Sequence, residues 1–176
     1  MQDQTVGKEN YKADVWTRWL FVVYLLILFW IILLKLGVQF TYLEKRSLNL
    51  VPFITLYLSK WEVLMNVVIF IPLGTYAAIL GKKWTIGIHI FSFFVLSFFL
   101  ESIQYIFRIG TFDVTDLITN TMGAWMGYLL FQILTEVLKD SVKTQLIMNW
   151  IGSFGTLLMI ILLTFLKLNM LPIRYQ

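Results

Sequence analysis

Long apolar runs constrain this chain more than any other feature of its sequence. A helix needs about 20 consecutive apolar residues to cross a bilayer, and the stretches close to that length are residues 19–36, 63–80, 84–107, 114–134 and 147–168. The chain is 59% apolar and 14% charged, which leaves too little polar surface to cover a domain in water. We therefore predict a single all-α membrane domain over residues 1–176 with about five transmembrane helices.

The connections between these spans are unequal in length and polarity. The segment 37–62, between the first and second spans, is too polar to cross a membrane and too apolar to extend freely into water. We expect it to be interfacial or to fold back into the helix bundle as a re-entrant segment. The other connections are short, which predicts antiparallel neighbouring helices.

Composition also excludes several classes of function. The chain has no cysteine and one histidine, so disulfides, thiol nucleophiles and Cys or His metal sites are excluded, and we expect no metal and no cofactor. His89 lies in an apolar stretch, where a structural role is expected. The basic residues are scattered between the spans, which argues against a nucleic-acid partner.

The orientation in the membrane rests on the distribution of basic residues. Lys and Arg are equally frequent on the two faces. Arg46 and Arg108 lie among acids and amides, so discounting them leaves the excess on the N-terminal side. We therefore predict a multi-pass protein of the bacterial plasma membrane with its N-terminus in the cytoplasm.

Polar residues gather on two helix faces beside one turn. Near the end of the third span, Glu101, Gln104 and Arg108 share a face of a predicted helix. The fourth span opens with Asp116 and Asn120, and Gly123 and Gly127 continue the same face. If the two spans form a hairpin around residues 110–111, these polar stripes can face each other, and the glycines allow another helix to approach closely.

Chain alternation places further polar residues at the same end of the bundle. Glu62 and Asn66 begin the second span, and Arg46 and Asn49 lie in the long connection. Each element also has a purely structural explanation, because Asp113 can cap a helix and Glu101 can pair with Arg108. Polar groups within apolar spans are costly unless they are paired or face a wet cavity. We interpret the set as a ligand site, formed by Arg46, Asn49, Asn66, Glu101, Gln104, Arg108, Asp113, Asp116 and Asn120.

Four stretches resemble the VanZ family of bacterial membrane proteins, whose best-known members are associated with teicoplanin resistance. They are LLKLGV at 33–38, KRSLNLVPF at 45–53, NVVIFIPLG at 66–74 and ESIQYIFRIGTFDVTDLITNTMGAWMG at 101–127. The resemblance implies an integral membrane protein that contributes to glycopeptide or lipoglycopeptide tolerance. It also implies that the family shares the nine residues of the interpreted ligand site, together with Pro52, Pro72, Gly74 and Gly123.

Three functions are compatible with these residues. The first is binding without chemistry of a membrane lipid, a lipid-linked cell-wall precursor or a glycopeptide antibiotic, with Arg46 and Arg108 holding an anionic group. The second is an intramembrane enzyme in which Glu101 and Asp116 act as acid and base and Arg108 stabilises charge. The third is a proton-coupled transporter. The sequence favours binding over catalysis and leaves a homo-oligomer open.

Overall fold

The computed structural model describes residues 2–34, 42–53 and 60–168. Within them the chain forms five helices: α1 (Gln2–Leu34), α2 (Lys60–Leu80), α3 (Ile86–Phe107), α4 (Val114–Leu138) and α5 (Ser141–Lys167). Two short strands, β1 (Leu48–Asn49) and β2 (Phe112–Asp113), lie in the connections. The predicted all-α membrane fold is confirmed.

The helices agree with the predicted spans and extend beyond some of them. Within the described residues, α1, α2, α3 and α5 are long and apolar enough to cross a membrane. Helix α1 begins at Gln2, well before the predicted start at residue 19, and its 33 residues extend about 50 Å, further than a bilayer core of about 30 Å. The predicted end of this span, residues 35 and 36, lies outside the described residues.

Helix α4 combines the length of a membrane span with a buried polar face. Its 25 residues exceed the length that a span needs, but it carries a buried stripe of polar and small side chains that lowers its mean hydropathy. It contacts α2, α3 and α5, and its contact with α2 is the most extensive in the bundle. That it crosses the membrane stays a prediction from the sequence.

Glycines explain why α2 and α4 lie so close together. A Cβ atom at Gly123 or Gly127 of α4 would collide with the carbonyl oxygens of Val67 and Ile71 of α2, and a Cβ atom at Gly74 of α2 would collide with a carbonyl oxygen of α4. The spacing of Gly123 and Gly127 therefore does permit close backbone approach, and the partner is α2. This contact brings the first turns of α2 and α4 side by side.

The connection between α1 and α2 folds back onto the turn between α3 and α4. Strands β1 and β2 pair in parallel, with Asn49 opposite Asp113. The Leu43 N–H donates to the Arg108 carbonyl oxygen at 2.6 Å, and the Phe53 N–H donates to Thr115 Oγ1 at 3.0 Å. The described part of this connection thus docks on the α3–α4 turn, and whether it is interfacial or re-entrant stays a prediction. Residues 37–41 and 54–59 lie outside the described residues.

Candidate functional site

A cavity of about 600 Å³ lies at the end of the bundle where α1 and α3 end and α2 and α4 begin. Its wall includes seven of the nine ligand-site residues that the sequence predicts. They come from β1, α2, α3, the turn after α3, and α4: Asn49, Asn66, Glu101, Gln104, Asp113, Asp116 and Asn120. The fold therefore brings together residues that are more than 70 positions apart in the chain.

Hydrogen bonds between amides and carboxylates join neighbouring elements around this cavity in pairs. Asn66 Nδ2 donates to Asp116 Oδ1 at 2.7 Å, which joins α2 to α4. Asn49 Nδ2 donates to Asp113 Oδ2 at 2.8 Å, which holds the α1–α2 connection against the α3–α4 turn. The Asp113 N–H donates to Glu101 Oε2 at 3.1 Å, so the turn is also anchored to α3.

The two remaining cavity amides bond away from these carboxylates. Gln104 Nε2 donates to the Ile32 carbonyl oxygen of α1 at 2.8 Å. Asn120 Nδ2 donates to Ser97 Oγ of α3 at 3.1 Å. Asn120 is only 2% exposed, and within the described part of the chain its carboxamide oxygen accepts no hydrogen bond.

The register of the α3–α4 hairpin differs from the simple expectation by one helical turn. Pairing around residues 110–111 places Glu101 level with Asn120, whereas in the structure Asn120 bonds to Ser97 and Glu101 bonds to the Asp113 backbone. The reason is that α3 ends at Phe107, and the chain then turns and passes through β2 before α4 begins at Val114. Asp113 caps α4 by accepting the Thr115 N–H at 2.7 Å, as the structural alternative predicts.

The two arginines of the predicted site lie outside the described lining of the cavity. The exposed guanidinium of Arg46 lies 5.7 Å from the ring centroid of Tyr105, a cation–π distance. Arg108 is the C-cap of α3 with a left-handed backbone (φ 58°), and its side chain is exposed. Its backbone therefore shapes the turn, while a ligand contact by either guanidinium stays a prediction.

Several lining residues carry no signal that singles them out in the sequence. The apolar part of the lining consists of Ile31 and Ile32 of α1 and Met65, Ile69 and Phe70 of α2. They are indistinguishable from other apolar positions until the helix contacts are known. Glu62 also lines the cavity, at the end of the bundle where chain alternation places it.

His89 is a buried residue of α3, and its structural role stays a prediction. It is 2% exposed and packs among the rings of Trp84, Phe93 and Tyr128, with the nearest ring centroid, that of Tyr128, at 4.8 Å. It lies near the opposite end of α3 from the cavity. Among the described residues, no group of three or more His, Cys, Asp or Glu side chains is arranged to hold a metal ion.

The fold and the cavity define a class: an all-α membrane protein with a polar, partly open cavity at one end of its helix bundle. Comparison with known proteins gives the family. The family described as VanZ/LLP1 matches residues 21–135, a range that contains all nine predicted site residues. The chain is 36% identical over 163 residues to the protein named "Protein VanZ" from Enterococcus faecium, covering 89% of this chain and 98% of that relative. The chain therefore belongs to the VanZ family. No solved structure matches it.

Proposed function

We propose that this protein is a multi-pass component of the bacterial plasma membrane that contributes to tolerance of teicoplanin-type glycopeptides by binding an amphiphile in its cavity. The amphiphile is a lipid, a lipid-linked cell-wall precursor or the acyl-bearing antibiotic, held at the outer leaflet. Membership of the VanZ family supports the association with resistance. The cavity supports binding as the mode of action.

The observation that carries the proposal is the mixed lining of the cavity. Carboxylates and amides line it together with Ile31, Met65, Ile69 and Phe70. A volume of about 600 Å³ falls within the range of about 300–1,000 Å³ that small-molecule sites occupy. Such a lining is suited to a ligand with a polar head and an apolar chain.

The test is a teicoplanin tolerance assay with variants that change charge and preserve shape. Glu101→Gln and Asp116→Asn each alter a cavity carboxylate, whereas Glu136→Gln makes the same change at an exposed position near the other end of α4. We expect each cavity variant to lower the inhibitory concentration of teicoplanin towards the value for cells without the protein. Immunoblots should show that these variants are present in the membrane at normal abundance. Full protection by both cavity variants, well folded and abundant, would refute the proposal.

The enzyme alternative retains one supporting observation. Glu101 and Asp116 line the same cavity, as an acid and base pair requires, but Arg108 does not lie among its described lining residues. An inventory of lipids and cell-wall precursors in cells with and without the protein separates the two functions. A new or depleted species indicates turnover, and an unchanged inventory with changed tolerance indicates binding.

The proposed orientation places the cavity on the extracytoplasmic side. Cysteine is absent from the chain, so single introduced cysteines report accessibility without background. Ser47 is exposed at the cavity end of the bundle, and Lys83 is exposed at the other end. An impermeant thiol reagent applied to intact cells should label Ser47→Cys and leave Lys83→Cys unlabelled, and the reverse pattern would invert the proposed topology.

A further inference from the structure

One N–H donor of each side-chain amide in the cavity is used within the protein. Asn49 donates to Asp113, Asn66 to Asp116, Gln104 to the Ile32 carbonyl and Asn120 to Ser97. The carboxylates of the lining accept hydrogen bonds and, when ionised, donate none. A site of this kind favours a ligand that donates hydrogen bonds.

The charged residues of the cavity also favour a ligand that donates hydrogen bonds. The two oxygens of Asp113 accept hydrogen bonds from neutral donors, the Asn49 amide and the Thr115 N–H. Glu62 adds a second carboxylate at the exposed rim. The described residues that line the cavity include carboxylates and no basic side chain, which favours a cationic group over a phosphate or carboxylate.

Asn120 provides an observation that is independent of the carboxylates. It lines the cavity and is 2% exposed, and the oxygen of its carboxamide accepts no hydrogen bond from the described residues. An unsatisfied buried acceptor is unfavourable and rare in proteins. A ligand donor that reaches this oxygen would remove the penalty.

We infer that the cavity recognises the primary ammonium group of an amphiphile. This inference rests on the proposed function, which it deepens by naming the head group. An ammonium group carries a positive charge and three N–H donors and has no acceptor, which complements both the carboxylates and the Asn120 oxygen. The apolar lining residues of α1 and α2 contact the first part of the amphiphile's apolar chain.

Binding of detergent-like probes with one common chain tests the head group. The full-length protein in phosphatidylcholine nanodiscs is titrated with dodecylamine, dodecyltrimethylammonium and dodecyl sulfate, and binding is followed by microscale thermophoresis. We expect dodecylamine to bind about 10-fold more tightly than the trimethylammonium probe, which keeps the charge and lacks N–H donors, and dodecyl sulfate to bind weakest. Binding of dodecyl sulfate as tight as that of dodecylamine, or no binding of dodecylamine, overturns the inference.

Two further arms identify the source of the ammonium group. Phosphatidylethanolamine in the nanodisc should compete with dodecylamine, whereas ethanolamine in solution, which has no apolar chain, should not. Competition by ethanolamine alone would assign the site to a soluble amine and overturn the amphiphile part of the inference.

Matched variants connect the binding to the cavity. Glu62→Gln should weaken dodecylamine binding about 3-fold, because the lost carboxylate is exposed, and the double variant Glu62→Gln/Asp113→Asn should weaken it about 10-fold. Glu136→Gln should leave it unchanged. Equal affinities in all three variants overturn the inference. Tolerance is measured separately from binding, so the two proposals can fail independently. If the cavity variants lose protection but the protein shows no selectivity for ammonium, only the assignment of the head group is refuted. If the protein binds ammonium but the cavity variants protect fully, the proposed function is refuted.

Discussion

Two clusters of buried polar side chains occupy opposite ends of this helix bundle, and they differ in how completely they are satisfied. The cluster between α1 and α5, here called the closed cluster, contains the buried Thr17, Gln145 and Asn149 together with the partly exposed Asp14. Gln145 Nε2 lies 2.9 Å from both Asp14 Oδ1 and Thr17 Oγ1. Thr17 Oγ1 lies 2.9 Å from Asn149 Oδ1, and Asn149 Nδ2 donates to the Ala13 carbonyl at 3.3 Å.

The second cluster, here called the cavity cluster, consists of the amides and carboxylates that line the cavity. It contains similar side chains but leaves space between them. Asn149 and Asn120 are 0% and 2% exposed, but both ends of the Asn149 amide are bonded, whereas the Asn120 oxygen is not bonded within the described residues. The difference teaches that burial of a polar group does not by itself indicate function. An unused acceptor beside a cavity is the feature that distinguishes the proposed binding site from a polar contact that holds helices together.

The largest expected effect comes from the helix contact that supports the cavity. Gly123→Ala places a Cβ atom against the Val67 carbonyl oxygen, which forces α2 and α4 apart beside Asn66 and Asn120. We expect a loss of about 3 kcal/mol in the free energy of unfolding, measured by steric trapping in bicelles, together with loss of tolerance.

Gly155→Ala is the matched control for this prediction. Nothing lies within 4 Å of a Cβ atom added at Gly155 on α5, so its effect on stability should stay within about 0.5 kcal/mol. Equal stability of the two alanine variants would contradict the close α2–α4 contact.

The next effect distinguishes the closed cluster from the cavity cluster by stability. Asn149→Leu keeps the side-chain volume and removes the bonds to Thr17 and the Ala13 carbonyl. We expect the free energy of unfolding to fall by about 1–2 kcal/mol in the same assay. Ligand selectivity and the tolerance conferred per folded molecule should not change, and a change in selectivity would show that the closed cluster also takes part in binding.

The same substitution at the other cluster should have the opposite consequence. Asn120→Leu removes an acceptor that is unsatisfied within the described residues and one bond to Ser97, so the free energy of unfolding should change by less than about 1 kcal/mol. Tolerance and dodecylamine binding should nevertheless fall clearly. A variant that is strongly destabilised would place Asn120 with the structural residues of the closed cluster.

The sequence predicts the cavity cluster better than the closed cluster for a physical reason. Carboxylates and amides such as Glu101, Asp116 and Asn120 stand out in apolar spans because few side chains there are polar, and helical periodicity shows that they share faces. Thr17 and Gln145 lie just before predicted apolar spans and Asn149 lies near the beginning of one, where polar residues are ordinary. Their contact depends on how α1 packs against α5, which periodicity within one helix does not determine.

Helix packing also explains why the sequence does not reveal how the α1–α2 connection docks or where the two arginines lie. The α1–α2 connection docks on the α3–α4 turn through backbone bonds of Leu43 and Phe53, which have no signature in the side-chain pattern. Charge and helical position grouped Arg46 and Arg108 with the acids. The left-handed end of α3 instead leaves the Arg108 side chain exposed, and Arg46 lies over the Tyr105 ring.

The smallest expected effect tests whether those arginines belong to the cavity. Both guanidiniums are exposed and lie outside the described lining, and surface charges contribute little, about 0–1 kcal/mol. Arg108→Ala and Arg46→Ala should therefore lower teicoplanin tolerance less than Asp116→Asn does at equal membrane abundance. Arg108→Lys is the informative control, because it keeps the charge and loses the bidentate geometry of a guanidinium. If Arg108→Lys abolishes tolerance as completely as Asp116→Asn, the guanidinium contacts the ligand. That result would favour the anionic head group suggested by the sequence over the ammonium group.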